Sequence, residues 1–293
     1  MELSGCGTAL ITPFHPDGSV DEAALRTHVE HQISNGIGLL VPCGTTGEAA
    51  TLTEAETFRV IELTCDTAAG RAQVFAGCTH NATAVAVARA RQYAQIPGLT
   101  GLLSANPYYN RPGQEGQYQH FRAIAEATAL PLMLYNIPGR TGANLEPATV
   151  VRLAEIPNIV AIKESCGNMF QIAELLTQLP ESFRVFSGDD ALTLPILALG
   201  GAGLISVASN VIPSEMSALV RAALANDWPT ARAINRRFLP LMQAHFWESS
   251  PAPVKAVLAL LDRGNETVRS PILPVSEPTR TRLKQLLAAV GLS

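Results

Sequence analysis

The residue best placed for chemistry in this sequence is Lys163, at the end of the apolar run NIVAIKES. Burial at such a position disfavours the ammonium form and favours a neutral amine. A neutral lysine amine can attack a carbonyl carbon and form a Schiff base that withdraws electrons from neighbouring bonds. An ion pair with Glu164 or with a helix carboxylate is the structural alternative, and position alone leaves both interpretations open.

Lysine is scarce in this chain. The 21 basic residues include only three lysines, which are Lys163, Lys255 and Lys284. Because arginine is used so heavily, a lysine inside an apolar segment needs a specific reason. Lys255 and Lys284 fall on helical patterns, and we predict that both are surface groups.

Several polar side chains could assist such an amine. Tyr135 ends another apolar run, and a phenol can transfer the protons that imine chemistry requires. Thr45 and Thr46 lie between glycines that allow close approach of a ligand, and their hydroxyls suit a carboxylate or a proton relay. Arg140 follows a proline turn and offers a planar fork for a carboxylate. Each also has an ordinary alternative: a hydroxyl bonded to backbone, a plain turn or a solvated arginine.

The elements that must position these residues are short apolar runs that alternate with helical patterns. We predict eight strands, at 6–12, 38–43, 73–78, 101–105, 131–136, 159–164, 183–187 and 203–208. Eight such units in about 220 residues predict a (β/α)8 barrel, whose active site lies at the C-terminal ends of its strands. A doubly wound open sheet is the alternative, but the first strand is not followed by a dinucleotide-binding G-x-G-x-x-G motif.

Helical patterns follow the strands, for example at 21–35, 53–69, 115–128 and 145–155. Thr53 and Glu56 have the spacing of a capping box at the start of the second helix. Three further helices are predicted at 226–245, 252–262 and 277–290. The predicted fold is therefore an α/β TIM barrel over residues 1–223 with a C-terminal three-helix extension over residues 224–293.

Composition limits the classes of function. The chain has 293 residues, a net charge of −4, 47% hydrophobic residues and 16% charged residues. This balance argues against disorder and against a nucleic-acid partner. We also predict no membrane span and no signal peptide. The five cysteines have no metal-binding spacing and suit a reduced, cytoplasmic protein, so we expect neither a disulfide framework nor a metal site.

An ordered set of motifs resembles the dihydrodipicolinate synthase/N-acetylneuraminate lyase family. The motifs are ALITPF, GTTGE, PYYNRPGQEG, LYNIPGRTG, IVAIKES, SGDD, GLISVASN and PVKAVL, and they extend over essentially the whole chain. The resemblance implies a (β/α)8 barrel with C-terminal helices and no cofactor. It also implies a homotetramer built from two tight dimers.

The resemblance also implies roles for individual residues. Lys163 would form the Schiff base with pyruvate, and Tyr135 would transfer protons beside it. Thr46 would link Tyr135 to Tyr109, which in this family reaches across the tight-dimer interface into the neighbouring site. Thr45, Thr46 and the backbone around Ile205 would hold pyruvate, and Gly188 would lie near the second substrate.

The same resemblance implies a second substrate. The segment YNIPGRTG is similar to that of the synthases, in which the arginine, here Arg140, binds the carboxylate of L-aspartate 4-semialdehyde. We therefore predict condensation of pyruvate with this aldehyde, in the diaminopimelate route to lysine. The alternatives are another pyruvate-dependent lyase or aldolase acting on a sugar acid or hydroxy-oxo acid, and a ligand-binding barrel without turnover.

Feedback inhibition by lysine is expected to be weak or absent. Asn81 and Tyr108 fit the lysine pocket that inhibited bacterial members carry at the dimer interface. Glu54, Thr57 and Val85, however, stand where histidines and a glutamate occur in those members.

Overall fold

Eight parallel strands close into a barrel in the computed structural model, which describes residues 3–292, and each strand pairs with its neighbours in the sequence. The strands are β1 (Gly5–Ala9), β2 (Leu39–Val41), β3 (Gln73–Gly77), β4 (Gly101–Ala105), β5 (Leu132–Asn136), β6 (Ile159–Glu164), β7 (Arg184–Ser187) and β8 (Gly203–Ser206). The predicted barrel is confirmed. The first strand ends at Ala9 and not at residue 12 as predicted. The apolar pattern continues beyond the strand because Leu10 and Ile11 are buried in the segment that follows it.

Helices follow the strands and cover the outside of the barrel. They are α1 (Glu22–Ser34), α2 (Glu54–Ala68), α3 (Thr83–Tyr93), α4 (Gln114–Glu126), α5 (Pro138–Thr141), α6 (Pro147–Ala154), α7 (Met169–Gln178), α8 (Thr193–Ala198) and α9 (Pro213–Leu224). The capping box of α2 is confirmed, since Thr53 accepts a bond from the Glu56 amide and Glu56 accepts one from the Thr53 amide. Such caps satisfy amides that a helix start leaves unpaired.

The C-terminal extension consists of α10 (Trp228–Ala244), α11 (Ala252–Leu260) and α12 (Glu277–Val290). The predicted three helices are thus present, and α10 packs against both α9 and α12. The boundary proposed between residues 223 and 224 falls on the last residue of α9. The division of the chain into two units stays a prediction.

The interior of the barrel is filled by side chains from all eight strands, as in other closed barrels of this size. The apolar members include Ala9, Leu39, Val41, Phe75, Leu103, Ala105, Met133, Ala161, Phe186 and Ile205. Gly203 is needed for close approach, because a Cβ atom there would lie 2.0 Å from the carbonyl oxygen of Gly5. Two polar side chains, Tyr135 and Lys163, lie near the C-terminal end of this interior.

Candidate active site

Lys163 and Tyr135 lie directly beside each other on adjacent strands. The parallel register of β5 and β6 pairs Tyr135 with Lys163 and Asn136 with Glu164. The Nζ atom of Lys163 lies 4.3 Å from the centroid of the Tyr135 ring. Both residues are buried, and Lys163 is only 5% exposed. The strand pairing therefore places an amine against a phenol at the end of the barrel where chemistry is expected.

Lys163 has no ionic partner among residues 3–292, although its neighbour Glu164 is acidic. The Glu164 carboxylate instead accepts hydrogen bonds from the Asn136 side chain at 3.1 and 3.2 Å and from the Cys166 amide at 2.7 Å. Burial raises the pKa of Glu164 above its ordinary value. The alternative of a Lys163–Glu164 ion pair is therefore wrong, and the amine is free to meet a substrate carbonyl.

Gly188 packs against the side chain of Lys163. A Cβ atom on Gly188 would lie 2.8 Å from Cε of Lys163 and 2.0 Å from Oγ of Ser165, so a larger residue would displace both. Within the described residues, Ser165 Oγ is buried without a hydrogen-bond partner. Sequence reasoning did not single out Ser165; its position two residues after Lys163 is the signal that was available.

Thr45 and Thr46 lie in the loop that follows β2. Thr45 is exposed, whereas Thr46 and the next two residues, Gly47 and Glu48, are buried. The Gly47 carbonyl accepts a hydrogen bond from Thr12 Oγ1 at 2.7 Å, which attaches this loop to the segment that follows β1. Neither threonine hydroxyl has a hydrogen-bond partner within residues 3–292, so both are free to bind a ligand.

Tyr109 lies at the surface of the chain. Its side chain is 88% exposed, although its backbone is tied down by a bond from its amide to the Thr141 carbonyl. The backbone φ of Tyr109 is +74°, a conformation that non-glycine residues rarely adopt. Among the described residues no hydrogen bond joins Tyr109 to Tyr135 or Thr46, so a single chain does not assemble the three-hydroxyl relay.

Arg140 lies in the four-residue helix α5, immediately after β5. Its side chain is exposed and makes no ion pair or hydrogen bond to any residue that the structure describes. Pro138 starts this short helix at a position where its missing amide costs nothing. The guanidinium is therefore presented to solvent at the same end of the barrel as Lys163.

Ile205 lies on β8, with its side chain in the barrel interior. Its register partner is Gly7 on β1, and the side-chain methyl occupies the space that a Cβ atom on Gly7 would need. The structure therefore places Lys163 against both Tyr135 and Gly188. It places Thr46, Ile205 and Arg140 on the neighbouring strands and loops.

The prediction that Lys255 is a surface group is wrong. Lys255 is 1% exposed, and its Nζ atom donates to Glu48 Oε1 at 2.5 Å and to the Thr267 carbonyl at 2.8 Å. The helical pattern was predicted correctly, but α11 lies against the barrel and has no solvent-facing side at this residue. Glu48 carried no predicted role; its place in GTTGE and the scarcity of lysine were the available signals. Lys284 is exposed, as predicted.

The part of the chain that the structure describes has neither a metal centre nor a membrane-spanning helix. Residues 3–292 contain no group of three or more histidine, cysteine or acidic side chains arranged to hold a metal ion. No helix among them has both the length and the apolar character that crossing a bilayer requires. All five cysteines are free thiols.

A (β/α)8 barrel with a buried, unpaired lysine at a strand end has the architecture of the class I aldolase-type lyases. A sequence profile described as the Dihydrodipicolinate synthetase family matches residues 2–290. The chain belongs to this family, and it is an enzyme of the lyase type.

Individual relatives agree with this assignment. The 4-hydroxy-tetrahydrodipicolinate synthase of Acidobacterium capsulatum is 61% identical over 100% of this chain and 97% of its own length. A solved dihydrodipicolinate synthase from Acinetobacter baumannii, in complex with pyruvate, is 40% identical with a TM-score of 0.97 over 99% of both chains. A solved synthase variant described as monomeric is 36% identical with a TM-score of 0.97, over 100% of this chain and 98% of its own. The predicted synthase activity is confirmed, and no relative among these supports the alternative lyase.

Proposed function

We propose that this chain condenses pyruvate with L-aspartate 4-semialdehyde through a Schiff base on Lys163, and forms 4-hydroxy-tetrahydrodipicolinate. The observation that carries this mechanism is the buried, unpaired Lys163 amine, 4.3 Å from the Tyr135 ring centroid. Within residues 3–292 this amine has no ion-pair partner and lies beside a phenol, so it can attack a carbonyl carbon and form a Schiff base.

In the first step, Lys163 Nζ attacks the keto carbon of pyruvate and gives a carbinolamine. Loss of water then leaves an imine. Tyr135 is the phenol nearest to the amine, and its hydroxyl transfers the proton that the departing water requires. Thr45, Thr46 and the backbone around Ile205 bind the pyruvate carboxylate, because neither threonine hydroxyl has a hydrogen-bond partner within residues 3–292.

In the second step, the imine loses a proton from its methyl group and becomes an enamine. The enamine carbon attacks the aldehyde carbon of the semialdehyde, and the aldehyde oxygen takes up a proton to become a hydroxyl. Arg140 binds the carboxylate of the semialdehyde, for which its free guanidinium can supply two parallel hydrogen bonds. Gly188 leaves the space beside Lys163 in which this second substrate lies.

The last step closes the ring. The amino group of the bound semialdehyde attacks the imine carbon, the new carbon–nitrogen bond forms, and the bond to Lys163 breaks. The product leaves, and the amine of Lys163 is regenerated. No step needs a redox partner or a metal, because the imine itself accepts the electron pair.

A second copy of the chain completes the proton relay in this proposal. Tyr109, 88% exposed on its own chain, inserts into the site of a neighbour and reaches Tyr135 through Thr46. We propose a homotetramer of two such dimers, in the cytoplasm, where the five free cysteines stay reduced. Because one similar structure is of a monomeric variant, sedimentation is the direct measure of assembly.

Borohydride reduction in the presence of pyruvate, followed by peptide mass mapping, tests the mechanism. The expected result is a pyruvate-dependent adduct on the peptide that carries Lys163. An adduct on Lys255 or Lys284, or none, would contradict the proposal. Assay of the untreated enzyme with pyruvate and a panel of aldehydes then tests the second substrate, with L-aspartate 4-semialdehyde expected to be preferred over sugar-derived aldehydes.

A further inference from the structure

The side chain of Glu48, the last residue of GTTGE, is bonded by the C-terminal extension. Its Oε1 atom accepts the bond from Lys255 of α11 at 2.5 Å, and its Oε2 atom accepts the backbone amide of Arg269 at 2.9 Å. The Glu48 and Lys255 side chains are both essentially inaccessible to solvent. Two segments more than 200 residues away along the chain thus hold one buried carboxylate.

Further side chains pack against the Glu48–Lys255 pair and hold it in place. The fully buried ring of Phe14 lies 4.2 Å from Lys255 Nζ and 4.4 Å from the guanidinium carbon of Arg269. Arg269 also donates to the Gly18 and Thr51 carbonyls and pairs with Glu56 at 2.5 Å. The C-terminal segment is therefore attached to the loops on both sides of GTTGE.

The loop that this attachment holds is the one that carries Thr45 and Thr46. The Glu48 amide donates to the Thr45 carbonyl at 3.1 Å, and Gly47 is held on the other side by Thr12. Glu48 itself has a φ of +55°, which a non-glycine residue keeps only when its surroundings enforce it. Release of the Glu48 side chain would allow its backbone to leave this conformation, and Thr46 lies only two residues away.

We propose that Glu48 and Lys255 are positioning residues for the condensation, and that α11 thereby fixes the threonine hydroxyls of the active site. This inference rests on the proposed function, in which Thr45 and Thr46 bind pyruvate and relay protons. Neither Glu48 nor Lys255 touches the substrate. The ion pair acts through the backbone of the 44–48 loop, so its loss moves the hydroxyls and leaves Lys163 in place.

Lys255→Met and Glu48→Gln test the pair individually. Lys255→Met leaves a buried carboxylate with one partner removed. Glu48→Gln keeps the shape of the side chain. The glutamine has only one acceptor oxygen, whereas Lys255 Nζ and the Arg269 amide both donate, so one of the two hydrogen bonds is lost. The double variant Glu48→Gln/Lys255→Met removes both charges and restores stability lost in a single variant, because an unpaired buried charge no longer remains.

Arg237→Met is the matched control. Arg237 donates to the Val290 carbonyl and joins α10 to α12, so its loss also removes a bond within the C-terminal extension. Within residues 3–292, no hydrogen bond or ion pair joins Arg237 to Glu48 or to the rest of the 44–48 loop. A general weakening of the extension would therefore appear in this variant as well, whereas a specific effect on the loop would not.

Hydrogen exchange of the folded variants measures the attachment independently of catalysis. We expect peptides that include residues 44–52 to exchange at least about tenfold faster in Lys255→Met and in the double variant. The same peptides should be unchanged in Arg237→Met, as should peptides of β6. Unchanged exchange at 44–52 in the folded double variant would overturn the proposal.

Kinetics of the same proteins measure the consequence. We expect kcat to fall about tenfold and the KM for pyruvate to rise, with the KM for the semialdehyde unchanged. Borohydride should still trap pyruvate on Lys163. Faster exchange with unaltered kinetics would show a structural tether alone and contradict a role in positioning. Failure of the unsubstituted enzyme to trap pyruvate would instead overturn the proposed function itself.

Discussion

The Nζ atom of Lys163 lies 4.3 Å from the ring centroid of Tyr135, its register partner on the adjacent strand. This relationship follows from the parallel pairing of β5 and β6, since residues paired in register on adjacent strands project to the same face of a sheet. The amine lies over the face of the tyrosine ring, and no carboxylate in the described part of the chain pairs with it. An amine in this position is accessible to a substrate carbonyl, and the neighbouring hydroxyl can exchange protons with the adduct.

Lys163→Ala should abolish the condensation while leaving the barrel folded. The variant has no amine to form the imine, so kcat should fall by at least about 10³-fold. The borohydride-trapped adduct should be absent, and thermal unfolding should stay cooperative. Lys284→Ala is the control, because Lys284 is exposed and should retain full activity. Substantial turnover by Lys163→Ala would contradict the Schiff-base mechanism.

Tyr135→Phe separates the hydroxyl of Tyr135 from its ring. The phenylalanine keeps the ring beside Lys163 but cannot transfer a proton. We expect kcat to fall by about 10²- to 10⁴-fold, the usual contribution of a positioned acid or base. Stopped-flow measurement of imine formation should show the same slowing. If only the KM values change, Tyr135 is a packing residue and not a proton donor.

Arg140→Ala should weaken the use of the semialdehyde far more than the capture of pyruvate. Loss of charge-assisted hydrogen bonds worth about 1.5–3 kcal/mol predicts a drop of about 10- to 150-fold in kcat/KM for the aldehyde. Trapping of pyruvate on Lys163 should be unaffected. Arg122→Ala, which removes an exposed arginine paired with Glu126, is the matched control. Equal loss for both substrates would count against this role for Arg140.

L-lysine should inhibit this enzyme weakly or not at all. A pocket for lysine must bind an ammonium and a carboxylate, yet Val85 offers neither a charge nor a hydrogen bond. The hydroxyl of Thr57 is already donated to the Thr53 carbonyl at 2.9 Å. Initial rates across a lysine titration, with a lysine-sensitive relative assayed alongside, provide the measurement. Complete inhibition at submillimolar lysine would refute this expectation.

Acidification should destabilise the fold through its buried histidines. Burial lowers the pKa of His245 from 6.5 to about 3, and no partner for either ring nitrogen is found in the described part of the chain. Between these values the unfolded chain binds a proton that the folded chain does not, so stability rises with pH. The stabilising contribution is fully present above pH 6.5, and it is lost towards pH 3 at up to about 1.4 kcal/mol per pH unit.

His245→Leu isolates this contribution. Denaturant unfolding between pH 5 and 8, a window chosen about the ordinary histidine pKa, should show a shallower loss of stability for the variant than for the parent. The parent protein must be measured beside the variant, because other buried groups titrate at acidic pH. Burial raises the pKa of Glu164 and Asp190, and their contribution to stability therefore falls as the pH rises. Parallel curves for the two proteins would show that His245 does not titrate with unfolding.

Much of the fold could be predicted from the sequence, because its signals are local. Short apolar runs alternating with helical patterns indicated the eight strands, and the bounds of β4 and β6 agree with the structure to the residue. The same patterns placed Lys163 and Tyr135 at strand ends. The capping box at Thr53 could also be predicted, because both of its members lie within one helical turn.

The tertiary structure decided the environments of the same side chains. The sequence around Lys255 has an ordinary helical pattern. The lysine nevertheless pairs with Glu48, 207 residues away, because α11 packs over the loop after β2. Tyr109 is 88% exposed and has a positive φ, and the residue types around it indicated neither property. Hydrophobic periodicity indicates which face of a helix or strand is apolar. It does not indicate which distant segment of the chain covers that face. Burial and charge pairing, which set the chemistry of each group, arise only when those segments meet.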